Sequence, residues 1–313
     1  MKKLLYLSFF IFASMLAVPA LHAQDAAADD STGLPGDDFS LQGALEMFKK
    51  SSSPEEFEKM LNTENNHVNN LDLNGDGEID YIRVVDKSEN NAHAFVLQVP
   101  VSETESQDIA VIELEKTGDA SAELQIVGDE DIFGEEKIVE PAGEAGQEDA
   151  AFINDVQKSS GPSAAEMLPE YNQPRIVVNV WLWPVVRFVY APAYTIWVSP
   201  WRWRHYPLWW HPWRPYGWHV FHPFGLPYRR SCVIVHTHRL VYAHRLYTPV
   251  RMTSVTVHTR YQGPVNHYRV TRRTTTVTGP RGNQFTRKTT TVERGHGNKK
   301  VKVTRTNGRR RRG

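Results

Sequence analysis

Nine consecutive residues, Asp72-Leu73-Asn74-Gly75-Asp76-Gly77-Glu78-Ile79-Asp80, carry the most legible chemistry in this chain. Asp72, Asn74, Asp76 and Asp80 set side-chain oxygens at loop positions 1, 3, 5 and 9, and Gly77 at position 6 permits the sharp turn a calcium loop needs. A strict EF-hand closes on a bidentate Glu at position 12; that position here is Arg83, so the strict form fails. Asp, Asn and Gly also gather in turns because they tolerate left-handed backbone and bond their own main chain, so an ion-free turn is the other reading. Three carboxylates brought together without a cation repel one another, which favours the ion.

A second set of ligand types lies far along the chain, where ten of the thirteen histidines follow residue 204. On a strand from Cys232 to Leu240, Cys232, His236 and His238 share one face with His244 nearby, and zinc or copper would accept such donors. The spacing matches no standard site, and Cys232 reads as a small apolar residue rather than a nucleophile. No G-x-S-x-G, H-E-x-x-H, P-loop or dinucleotide fingerprint occurs, and the carboxylates mark out no acid/base pair. The chain reads as a binding protein and not as an enzyme.

All nine tryptophans fall within 38 residues, from Trp181 to Trp218, interleaved with Arg, His, Tyr and six prolines. Trp201, Arg202, Trp203, Arg204, Trp209, Trp210, Trp213, Arg214 and Trp218 are candidates for a surface-binding patch, because Trp with flanking Arg suits a lipid headgroup interface. Indole faces also stack on sugars, with arginine as a cation-π partner. The other reading is that these rings fill an irregular core of their own.

Charge divides the chain. Residues 24 to 170 hold 35 acidic and 8 basic side chains, whereas residues 171 to 313 hold 26 basic and one acidic, Glu293. The basic half therefore calls for an anionic partner, an envelope surface or lipid headgroups, or for docking onto the acidic half. Docking has to be close, since exposed charges are screened beyond about 8–10 Å. A polyanion-binding module for lipopolysaccharide, wall polymer or extracellular DNA is the alternative function, and a glycan-binding or glycan-processing protein a further one; specific nucleic-acid recognition is not expected.

Residues 1–23 have the plan of a signal peptide, with Lys2 and Lys3 before an apolar run and Ala20-Leu-His-Ala23 as the cleavage end. Export to the periplasm, the outer-membrane periphery or the exterior follows, in fluids where calcium in the roughly 0.1–1 mM range suits a weak, open loop. A single cysteine leaves no internal disulfide. Residues 176–198 are apolar, but Asn179, Pro184, Arg187 and Pro192 interrupt them, so no transmembrane helix is expected in the mature chain.

The elements that position these residues follow from periodicity. Residues 24–38 read as a disordered leader and 39–128 as an α+β calcium-loop domain. In that domain one helix is capped by Ser40, a second starts at Ser53-Pro-Glu-Glu56, and four strands cover 79–85, 92–101, 109–115 and 122–127. Short polar joints make those strands an antiparallel meander with the two helices on one face. Residues 129–174 read as an acidic linker, 175–262 as a Trp/Pro/Arg/His-rich β segment with strands drawn from 176–190 and 232–261, and 263–313 as a basic, partly disordered Thr-rich hairpin tail that turns at Gly279-Pro-Arg-Gly-Asn283.

The nine-residue loop, followed directly by the strand-like Tyr81-Ile-Arg-Val-Val85, resembles the short D-x-D-x-D-G-x-x-D loops of integrin-type propeller blades. That resemblance implies Asp72, Asn74, Asp76, the carbonyl of Glu78, and Asp80 as ligands of one Ca2+. Dockerin modules look similar over the same residues but carry two copies. The overall layout, carried by Leu71 to Val85, Trp201 to Trp218 and Thr274 to Thr291, resembles secreted envelope proteins of the Bacteroidota, and it brings no activity with it.

Overall fold

In a computed structural model the chain is described over residues 31–143 and 177–265 and, as backbone, to the end of the Val255–His267 helix and through strands Arg269–Thr278, Gln284–Arg294 and Asn298–Asn307. The signal-peptide reading, most of the leader, the linker beyond residue 143 and the glycine turn at 279–283 lie outside the described residues.

Local sequence builds the first helices as their caps require. Ser40 accepts the Gly43 N–H to start Leu41–Lys50, which buries Leu41, Ala44, Leu45, Met47 and Phe48. Ser53 caps Pro54–Leu61, which buries Phe57 and Leu61. Glu56 turns back to the Ser52 N–H and hydroxyl, a capping box displaced by one residue.

The chain is a mixed α+β structure built on a six-stranded antiparallel sheet in the order β1 (Arg83–Glu89), β2 (Ala92–Pro100), β3 (Ser106–Gly118), β4 (Ser121–Gly128), β5 (Lys137–Pro141) and β6 (Cys232–Val235). The first four strands are the meander read from alternation. β1 starts later than residue 79, because the Ile79, Asp80 and Ile82 N–H groups go to Trp213 O, Leu71 O and Asn62 Oδ1 instead of to a neighbouring strand.

The remainder differs from expectation, and each difference has a tertiary cause. Leu34 and Pro35 are buried and Pro35–Asp38 forms a helical turn, so the end of the expected leader is packed. Residues 129–141, expected in the linker, add the Glu130–Phe133 turn and β5, with Ile126 opposite Val139. Where strands were expected in 176–190 and 232–261 the chain forms helices, Pro184–Val189, Val241–Tyr247 and Val255–His267, and Trp218–Phe224 is a further helix between those ranges. Only Cys232–Val235 is a strand, pairing Val235 with Ile138. Acidic residues of the first half start two of these helices. Glu115 Oε1 accepts the Tyr242 and Ala243 N–H groups, and Glu105 Oε2 accepts the Ser254 hydroxyl and the Thr256 N–H.

The second half thereby covers what the meander leaves open. Val180, Val185, Val186 and Val189 join the core formed by the first two helices and one sheet face, while Tyr247 and Val235 complete a smaller core on the other face with Ala94, Val96, Val111 and Val127. Residues 197–199 close the free edge of β1 through Asp86 N–H to Trp197 O at 2.8 Å and Ser199 N–H to Val84 O at 3.1 Å. Ion pairs between the halves add to this. Arg239 bridges Glu123 and Glu140 at 2.9 Å each, and Arg251 holds the buried Asp129 at 2.5 Å and Asp131 at 2.8 Å. Burial pushes the Asp129 carboxyl up, and Arg251 pulls against that shift. Arg251→Ala strands this buried charge, and chemical denaturation should show a loss of about 3 kcal/mol; Arg251→Lys, which cannot make the forked contact, should recover part of it.

β7 (Arg269–Thr278), β8 (Gln284–Arg294) and β9 (Asn298–Asn307) form a separate three-stranded antiparallel meander, with Thr274 opposite Lys288 and Thr290 opposite Lys302.

Candidate functional site

The 72–80 loop folds back through side-chain to main-chain bonds. Asp72 Oδ1 accepts from Gly75 N–H at 2.6 Å and Asp76 N–H at 3.1 Å, and Oδ2 from Gly77 N–H at 2.9 Å. Asn74 Oδ1 accepts from Asp76 N–H, and Asp76 Oδ1 from Glu78 N–H. Gly75 and Gly77 sit at φ +73° and +84°, a backbone that glycine adopts without strain. The loop ends on Asp80, 4% exposed, whose Oδ2 accepts the Leu73 N–H at 2.6 Å and whose Oδ1 accepts from Asn74 Nδ2 at 3.0 Å. Burial pushes the Asp80 carboxyl up to about 7, and the negative charges of Asp72 and Asp76 add to the shift. An added cation would relieve that shift. Asp76 and Glu78 are exposed at the tip, open to solvent.

Two separate parts of the second half reach this loop and the segment that follows it. Trp213 O takes the Ile79 N–H, and Tyr206 and Trp210 pack on Tyr81 at ring separations of 5.8 and 5.1 Å. From the Val255–His267 helix, Tyr261 OH donates to Asp72 O at 3.2 Å and Arg260 Nη2 to Asn74 O at 2.5 Å. Sequence reasoning did not connect Arg260 or Tyr261 with the loop, because 180 or more residues separate them and an expected strand hid the helix that carries them.

The aromatic candidates divide. Trp210 is 5% exposed and serves the interior, so it is withdrawn as a surface contact. Trp201, Trp203, Trp213 and Trp218 are half-buried, and Trp209 is 44% exposed. Arg202, Arg204 and Arg214 face solvent, with Arg204 over the Trp203 ring at 5.5 Å. Cys232, His236 and His238 are not gathered on one face. Cys232 ends in the first core with its thiol pushed up to about 11 by burial, and His238 turns towards Glu113.

A residue that the sequence did not single out joins the halves. Glu58 is buried, and its carboxylate accepts four bonds: Oε1 from Tyr81 OH at 2.8 Å and Ser199 Oγ at 2.9 Å, Oε2 from Val84 N–H at 2.7 Å and Trp197 Nε1 at 3.3 Å.

Together the fold and the loop define a mixed α+β structure with an oxygen-rich loop at its surface. No protein-family model matches the chain, and comparisons with curated proteins and with solved structures give no significant match.

Proposed function

We propose that this is a non-enzymatic, exported envelope protein whose 72–80 loop holds a structural Ca2+ and whose second half lies against an anionic lipid surface. One observation carries the surface reading. Among the described residues, every exposed large apolar side chain falls between Val177 and Val255, and none falls in 31–143. Leu208 is 98% exposed beside Trp209, whose ring Lys59 overlies at 5.5 Å, and the exposed Arg202, Arg204 and Arg214 flank the pair in the sequence, with no acidic residue anywhere in 171–292. Exposed apolar side chains in a segment that carries basic and no acidic residues suit insertion among anionic headgroups. No helix among the described residues is long and apolar enough to cross a membrane, which agrees with a peripheral contact.

Co-sedimentation of the full chain with phosphatidylglycerol-containing vesicles tests this. Binding should exceed that to phosphatidylcholine vesicles, fall with salt, and drop at least about tenfold in a Leu208→Ser, Trp209→Ser double variant, since each fully buried large apolar side chain contributes roughly 1.5–3 kcal/mol. Binding to soluble polyanions that ignores the double variant would replace lipid with the polyanion reading.

A further inference from the structure

A group of side chains on the second face of the sheet takes no part in the calcium loop or the apolar surface. Glu113 of β3 is fully buried, and His238, from the turn after β6, and His244, from the Val241–Tyr247 helix, converge on its carboxylate. One ligand atom from each of the three lies within 4.8 Å of the others. Glu113 Oε1 is 2.8 Å from His244 Nδ1, and Glu113 Oε2 is 3.9 Å from His238 Nδ1.

The carboxylate of Glu136 holds a proton on one nitrogen of His238. Its Nε2 lies 3.1 Å from Glu136 Oε2, a carboxylate that only accepts, so Nε2 is the N–H. Gln125 sits opposite Glu113 on β4; its Oε1 accepts the Arg239 N–H and its Nε2 donates to Glu113 Oε2 at 2.6 Å, which orients the amide. That same Nε2 stands 3.3 Å from His238 Nδ1. An amide nitrogen only donates, so in the neutral ring the Nδ1 lone pair faces the cluster, while Glu113 and Glu136 raise the His238 pKa so that a proton competes with an ion for that nitrogen. A lone pair and a buried carboxylate thus face one point in space, and Arg239, the arginine next to His238, is engaged by Glu123 and Glu140.

We propose that Glu113, His238 and His244 form a binding site for one divalent transition ion of the zinc class. Two imidazole nitrogens and a carboxylate oxygen are donors that zinc accepts and calcium does not prefer, so the site is independent of the 72–80 loop. Tetrahedral ligands at about 2.0–2.1 Å from an ion lie about 3.4 Å apart, between the two separations seen here. Glu136 on the far nitrogen of His238 and Gln125 on Glu113 hold the ligands as outer partners do around zinc. His238 and His244 are 25% and 32% exposed, which leaves an entrance and a fourth position for water. The ion would join β3 to residues 238–244 and so bind only when the second half is docked.

Calorimetric titration of the full chain with Zn2+ in excess Ca2+, and with Co2+ followed by visible absorption, tests the site. One ion per chain, tetrahedral-strength Co2+ bands and a Zn2+-dependent rise in melting temperature are expected. Glu113→Gln and His244→Ala should each abolish that stoichiometric site, and Glu136→Gln should weaken it about 10–100-fold. His211→Ala, an exposed histidine of the Trp-rich segment, should leave it unchanged. Binding that survives Glu113→Gln, or that falls equally with His211→Ala, would show adventitious capture by a histidine-rich surface and overturn the proposal, as would no stoichiometric binding. If Glu113→Gln fails to fold, His244→Ala at its partly exposed position carries the same decision.

Discussion

Glu58→Ala is expected to lower stability by about 4–6 kcal/mol, enough to unfold a domain of ordinary stability, whereas Glu58→Gln should cost only about 1 kcal/mol. The contrast follows from which donors can turn. Alanine leaves four donors in the interior without an acceptor, the Val84 N–H, Trp197 Nε1, Tyr81 OH and Ser199 Oγ. Each stranded polar group costs about 1–3 kcal/mol, and partial relief by water lowers the sum. Glutamine can keep its oxygen at the Oε2 position for the two N–H groups, which cannot rotate away. Its NH2 then faces two hydroxyls that can turn to accept. Urea denaturation of the three proteins separates these outcomes; equal losses for alanine and glutamine would show that charge, not acceptor geometry, is what this residue supplies. Because Trp197 and Ser199 belong to the second half, Glu58→Ala should also raise proteolysis within 177–262 before it loosens the meander.

Glu58 also marks where the sequence ceased to be legible. The caps at Ser40 and Ser53 and the alternation of β2 and β3 are local signals, and the structure reproduces the elements they define. Glu58 sits one residue after Phe57 and three before Leu61, but its four donors come from Tyr81, Val84, Trp197 and Ser199. No window of a few residues holds that information. Glu113 is the same case: on an alternating strand beside Val111 it reads as the polar face of a meander, and it is buried only because a helix more than 120 residues later lies over it.

The β-branched runs in 232–261 misled for a related reason. Val255, Thr256, Val257 and Thr259 favour a strand where the chain is left to local preference. Here Ser254 Oγ accepts the Val257 N–H while donating to Glu105, a start supplied from across the fold, and Val257 enters the first core. The loop at 72–80 was legible because the bonds made by its own Asp and Asn side chains are internal. The contacts that reach it from Tyr261 and Arg260 were not.

At that loop, Asp80→Asn is expected to stabilise the calcium-free protein and to abolish its response to calcium. Burial, with Asp72 and Asp76 adding repulsion, raises the folded pKa of Asp80 from 3.8 to about 7. A group raised in this way contributes stability that is complete below the unfolded pKa and is lost as pH rises through the folded one. The calcium-free wild type should therefore lose stability between about pH 4 and pH 7, with Asp38 and Asp108, each raised to about 6, acting in the same direction. A rise of the size seen at Asp80 corresponds to about 4 kcal/mol against the ionised form. Asparagine keeps an acceptor for the Leu73 N–H and gives up the Asn74 bond, worth about 1 kcal/mol, so a net gain of about 2–3 kcal/mol at pH 8 should shrink towards pH 5. Calcium closes that gap. At 100 times its dissociation constant a bound ion adds about 2.7 kcal/mol to the wild type, and protons compete with it below pH 7. Thermal melts of both proteins at pH 5 and pH 8, in chelator and in calcium, give the eight numbers needed. A wild type indifferent to calcium at pH 8 would make the loop an ordinary turn, and an Asp80→Asn protein that melts lower than wild type in chelator at pH 8 would show that its carboxylate is held by the loop rather than strained in it.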